Sequence, residues 1–285
     1  MAGECPLHKN TESKSNRLTL GQVDFINCLP INIPIEEKII EINATIKSEM
    51  PSTLNKLVLS GKIDIAPVSS LTYLENKDNL TPIGNLCISS NGPADSVLLF
   101  SKYPIEELER AYIALSFASA TSNKLTEIIL NKYMHLNVTF KVENLKLAEL
   151  PKDYSAALLI GDHALFEFSR GPRDLFLYDM GSLWKMHTGL PMVFGIWVVR
   201  NEVMDKYPEE VRIIAALLNK AKEKGLGDMF DTIVKKSIDK VGLSKDFYRT
   251  YFEHLSYELN EERKKGLKLF EKICLELQEK TAIKV

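Results

Sequence analysis

The chain has 285 residues, enough for two lobes around a deep interface or for one large domain. Its hydrophobic content of 45% is ordinary for a soluble globular protein, and a formal charge of -2 with no basic stripe argues against nucleic acid as a partner. The four cysteines (Cys5, Cys28, Cys87, Cys274) are scattered and the five histidines stand apart, which excludes a dense disulfide framework and a recognisable metal site.

The first sixteen residues are polar and are expected to be disordered, with no apolar stretch of signal-peptide length. With no membrane-span window further on and so few cysteines, a cytoplasmic protein without membrane contact is expected.

From Leu18 to Ile26 the residues alternate as in a strand that opens a sheet, and Pro30 and Pro34 predict that it ends near Asn27. Asn27 then stands at a strand's carboxyl end, where open α/β sheets hold ligands, or closes a turn onto its own backbone. "STLNKLVLSGK" predicts an amphipathic helix capped by Ser52, "IDIAPV" a buried strand, and "SSLTYLENK" a helix behind Ser69 and Ser70. "PIGNLCISS" and "DSVLLFS" read as strands on either side of the turn Asn91-Gly92-Pro93. "YIALS", a helix from about Thr121 to Met134, "VTFKV", "AALLIG" and the short helix "DHALFEF" follow. Such alternation implies a largely parallel or mixed sheet with helices on its faces. From Pro208 to Lys280 the spacing is helical and charged, with breaks near Gly225, Gly227 and Gly242, and the stripe "LKLFEKICLEL" reads as core.

Small polar residues gather where strands meet helices or turns. Ser119, Thr121 and Ser122 surround one helix start, whose unpaired N–H groups and partial positive charge suit a carboxylate or phosphate. Ordinary capping explains any one of them. Ser89 and Ser90 precede the Asn91 turn and Ser96 follows it, Ser69 and Ser70 repeat the theme, and Gly161-Asp162 does so again, with Asp162 alternatively a helix cap. Such a pocket binds anions through backbone dipoles rather than formal charge. No nucleophile elbow, dinucleotide loop or phosphate loop is present, and His163 and His187 are either acid–base candidates or structural.

"FINCLP", "IDIAPVSS", "GPADSVLLFS", "ATSNKL", "LLIGDHAL" and "YDMGSLWKMHTGLPMVFGIWVVR" occur in this order. Together they resemble the chorismate dehydratases of the futalosine route to menaquinone, strongly from Leu18 to Arg200 and more loosely beyond. The resemblance implies an α/β, two-lobed fold like the type II periplasmic binding proteins, with a helical C-terminal region packed on lobe one. Lobe one would comprise residues 17–100 with 196–285, and lobe two 101–195, with the ligand cleft between them. It implies loss of water from chorismate to give 3-[(1-carboxyvinyl)oxy]benzoate, with no cofactor and no metal. It assigns turnover to Asn27 and Ser96. Substrate contact is expected from Ser69, Ser70, Ser90, Asn91, Ser119, Thr121, Ser122, Gly161, Asp162 and His187. Ala120, Asn91 and His187 stand where the family often has arginine, a charged residue and an aromatic residue. The alternatives are the naphthoate synthase of the same pathway, a solute-binding protein for a small carboxylate, and a ligand-sensing regulatory domain. The first of these is disfavoured by the "FINCLP" opening, and the last would need a DNA-binding segment.

Overall fold

The computed structural model describes residues 18–143, 147, 150–171 and 174–282. The expected disorder of residues 1–16 lies outside the described residues. Two mixed sheets organise the chain. The first has the order β11-β4-β10-β3-β1-β2 and the second β7-β6-β8-β5-β9, with strands numbered in chain order.

In the first sheet, β1 (Thr19–Val23) lies parallel to β2 (Thr45–Glu49) and β3 (Ile65–Ser69). β10 (Met192–Arg200) runs antiparallel between β3 and β4 (Leu80–Ser90), and β11 (Leu255–Glu258) adds an antiparallel edge on β4. In the second sheet, β6 (Tyr112–Ser116) lies parallel to β7 (Thr139–Glu143) and β8 (Tyr154–Ile160). There β5 (Val97–Ser101) runs antiparallel to β8 and β9 (Phe176–Asp179). The chain therefore passes between the sheets twice, after β4 and before β10.

The first strand ends earlier than its proline spacing predicts. β1 stops at Val23, Ile26–Cys28 forms a 3₁₀ turn, and α1 (Leu29–Glu36) contains both prolines. Pro30 is tolerated in the first turn, where its N–H would lack a partner anyway. Pro34 cannot bond back to the Pro30 carbonyl. That carbonyl meets α8 (Pro208–Leu226) at Gly225, where an added Cβ would stand 1.9 Å from Pro30 O. Gly225 is thus a close-approach residue inside a helix rather than the predicted break. Gly227 and Gly242 do sit at helix ends.

Other local signals resolve differently too. α2 (Pro51–Leu59) has Met50, not Ser52, at its N-cap, because Pro51 pre-sets the first turn. The helix expected to Met134 is α4 (Ala120–Glu127) continuing as π-helical turns over Ile128–Tyr133. α3 (Ser70–Glu75), α5 (Gly161–Ser169) and α6 (Met180–Thr188) occupy strand-to-helix junctions. β11 was not anticipated: its four residues form a strand only because β4 offers an unpaired edge.

Each sheet has its own apolar cluster. Leu20, Ile65, Trp197 and Tyr248 belong to the first, and Leu99, Leu125, Ile160 and Trp184 to the second. α8, α9 (Phe230–Val241) and α10 (Lys245–His254) contribute to the first cluster, as expected of the helical region. α11 (Glu261–Ala282) spans both, with Leu267 in the first cluster and Phe270, Ile273 and Cys274 in the second. Of the stripe read as core, Leu267, Phe270, Ile273 and Cys274 are buried, while Leu275 is exposed. Among the described residues no helix is long and apolar enough to cross a membrane.

Candidate active site

A cavity opens between the two sheets. From the first sheet side it is walled by Val23, Phe25, Asn27, Pro67, Ser69 and Phe194, and from the second by Ala94, Ser96, Ser119, Ser122 and Gly161. Its remaining lining is largely apolar, and none of the described residues lining it is a carboxylate, histidine, lysine or arginine.

Helix starts converge on it. Pro51 opens α2, Ser119 caps α4 and Gly161 opens α5, so three helices of eight or nine residues begin at this cavity and place the positive ends of their dipoles on its side. Ser119 accepts from Ser122 N at 3.2 Å and donates to Ser122 Oγ at 3.0 Å. Ser69 caps α3, and Asn55 braces it with bonds to its Oγ and N at 3.3 and 3.1 Å.

Asn27 sits in the 3₁₀ turn after β1. Its Oδ1 is buried and has no hydrogen-bond partner among the described residues, so this oxygen does not close the turn. The turn is held by other groups. Asp162 accepts from Ile26 N at 2.9 Å, Lys240 bonds Asp162 at 2.9 Å and Asp24 at 2.7 Å, and Tyr257 donates to Asn27 O at 2.9 Å. Asp162 is therefore a tie across the cleft, while the α5 N-cap position belongs to Ile160. Burial outweighs these partners and holds the Asp162 carboxyl above its ordinary range.

Ser96 comes from the segment joining the sheets, just before β5. Asp179 grips that segment through Ala94 N at 3.0 Å and Asp95 N at 2.7 Å while also capping α6 through Ser182 N. Gly161 N donates to Ser96 O at 2.7 Å. Gly161 has φ of +57° and faces the Phe25 ring, which an added Cβ would meet at 2.7 Å. Only glycine fits both demands.

Six of the sequence-derived site residues line the cavity: Asn27, Ser69, Ser96, Ser119, Ser122 and Gly161. The other six lie elsewhere. Ser70 donates to Val193 O, Ser90 donates to Gly92 O, and Thr121 accepts from Leu71 N. Asn91 is exposed at the turn, Asp162 is the tie already described, and His187 stacks on Tyr133 at 4.9 Å. Sequence reasoning missed the phenylalanine walls, Asp179, and the tyrosines from the carboxyl-terminal region. Nothing local marks a tyrosine as the partner of a residue 155 or 230 positions away.

Cys28 also lines the cavity. Burial pushes its thiol up to about 12, so it remains protonated and does not act as a nucleophile near neutrality.

A family model described as menaquinone biosynthesis matches residues 18–276. The chain is 30% identical over 235 residues to the chorismate dehydratase of Thermus thermophilus, covering 78% of this chain and 83% of that one. It is 25% identical over 269 residues to the chorismate dehydratase of Campylobacter jejuni, covering 90% and 97%. Among solved structures, a protein of Archaeoglobus fulgidus superposes with a TM-score of 0.73 at 14% identity, covering 95% of this chain and 99% of that one. The periplasmic aliphatic sulphonate binding protein of Escherichia coli superposes at 0.65 with 11% identity and 92% of each chain. The fold is that of the periplasmic binding proteins.

Proposed function

The chain belongs to the menaquinone biosynthesis family, and on that premise we propose that it is a chorismate dehydratase, an enzyme that takes water from chorismate and releases 3-[(1-carboxyvinyl)oxy]benzoate. The observation that carries the mechanism is a cavity with helix starts and hydroxyls on its walls and no titratable protein base among its described lining residues.

The reaction breaks the C3–H and C4–O bonds. The C3 electron pair enters the ring system, whose aromatisation supplies the driving force, and the C4 hydroxyl departs. With no protein base among the described residues of the wall, the substrate's own enolpyruvyl carboxylate takes the C3 proton and passes it to the departing hydroxyl as water forms. Charge building toward the ring carboxylate is met by neutral donors and helix dipoles already in place. Ser69, Ser119, Ser122 and the positive dipole ends of the helices Pro51–Leu59 and Gly161–Ser169 suit the two carboxylates. Asn27 and Ser96 face the reacting centre. Ser70, Ser90, Thr121, Asp162 and His187 then act from behind the wall, by holding the elements that form it, while Asn91 stands exposed at the turn.

The lobes follow the two sheets, so β5 (Val97–Ser101) goes with the second lobe and the start of β10 at Met192 with the first, a few residues from the expected bounds at 100/101 and 195/196, and they close on the substrate through the two passages between the sheets. A cytoplasmic setting agrees with Cys28, Cys87 and Cys274 being free and buried.

Incubating the purified protein with chorismate and following products by mass spectrometry tests the activity. A product lighter by one water is expected, whereas saturable binding with chorismate returned intact would leave a solute-binding protein. The pH profile tests the mechanism. Cys28 titrates only at about 12, and burial likewise drives the Tyr251 and Tyr257 phenols well above their usual value. These groups stay protonated at all lower pH. The substrate carboxylates are ionised above about pH 5, so kcat should be level from about pH 6 to about pH 9. A limb near pH 6.5 would reveal a histidine base.

A further inference from the structure

Behind Ser96, away from the cavity, lies Tyr251 of α10. Its ring is only 1% exposed and packs against Phe252 at 5.3 Å and parallel to Phe247 at 6.2 Å. Its hydroxyl makes one hydrogen bond among the described residues, to Ser96 Oγ at 3.1 Å. Ser96 Oγ in turn reaches Ala94 O at 3.2 Å and lines the cavity. We propose that Tyr251 is a positioning residue: by donating its proton to Ser96 Oγ, it turns the Ser96 hydroxyl into a donor aimed at the substrate.

The direction of the bond follows from counting donors and acceptors. Burial keeps the phenol protonated, so its proton needs an acceptor. Ser96 Oγ is the acceptor within reach. Were Ser96 to donate to Tyr251 instead, the phenol proton would be stranded in the core at a cost of about 1–3 kcal/mol. Ser96 would also have spent the one proton it can offer. With Tyr251 donating, the serine proton rests on Ala94 O. That bond is long, and the proton can turn to a substrate oxygen that gains negative charge. The donated proton also withdraws density from Ser96 Oγ and strengthens it as a donor.

This inference rests on the proposed role of Ser96 facing chorismate, and a double-mutant cycle separates the two. Ser96→Ala, Tyr251→Phe and the double variant are compared for kcat and KM with chorismate. Tyr251→Phe keeps the packed ring. It should lower kcat about tenfold, with KM changed far less. The double variant should turn over no more slowly than Ser96→Ala alone, because the tyrosine acts only through the serine. A Tyr251→Phe enzyme with unchanged kcat, or effects that multiply in the double variant, would overturn the role of Tyr251 while leaving Ser96 in place. Unchanged turnover in Ser96→Ala would remove the reading of Ser96 itself, and this inference with it. If Tyr251→Phe does not fold, 3-fluorotyrosine at position 251 keeps the shape and raises donor strength. A kcat indifferent to it counts against the proposal, and a changed kcat that is lost in the Ser96→Ala background supports it.

Discussion

Replacing Asn27 or Ser96 with alanine should each lower turnover of chorismate roughly 10²-fold or more, the scale on which one donor positioned at developing charge acts. The two variants should separate in stability. Asn27 Oδ1 is buried without a partner among the described residues, so Asn27→Ala removes an unsatisfied atom and should leave Tm unchanged or slightly higher. Ser96→Ala strands the buried Tyr251 hydroxyl and should cost about 1–3 kcal/mol. Measuring kcat and Tm on the same preparations checks both. An Asn27→Ala protein that melts early but turns over normally per folded molecule would make this asparagine a turn residue and remove it from the site.

Gly225→Ala should be among the most damaging substitutions outside the cavity. On helix propensity alone, alanine would stabilise α8 by about 1 kcal/mol. Packing reverses the sign. The new Cβ would lie 1.9 Å from Pro30 O, 2.6 Å from Pro30 C and 2.7 Å from Pro30 Cα, and these are backbone atoms that cannot swing aside. α1 and α8 must part, at a cost of about 3 kcal/mol or more, lowering Tm by roughly 5 to 10 °C. Pro30 follows Asn27 by three residues, so the surviving folded fraction should also turn over more slowly. Thermal unfolding decides between the two effects. A Tm equal to or above that of the parent would show that the helices are not held this close.

The resemblance carried by "FINCLP", "GPADSVLLFS" and "ATSNKL" was legible without coordinates, and with it the family and the lobed α/β architecture. Local spacing located most strands and the apolar stripe of α11, because alternation and helical period are properties of neighbouring residues. Ser69 and Ser119 were legible as helix caps for the same reason. What neighbours do not encode was decided by the tertiary structure. The prolines at 30 and 34 look like strand terminators, yet they sit in a helix, with Pro30 in its first turn and the carbonyl that Pro34 leaves free lying against Gly225 of α8. β11 is a strand because β4 had an open edge. The cavity selects Asn27, Ser69, Ser96, Ser119, Ser122 and Gly161 from twelve similar candidates. Ser90 and Thr121, alike in type, spend their hydrogen bonds inside the fold. Residue type and spacing state which groups can bind an anion. Which of them keep a free proton or lone pair depends on partners such as Tyr251, Tyr257 and Asp179, brought from distant parts of the chain by the burial of the apolar clusters.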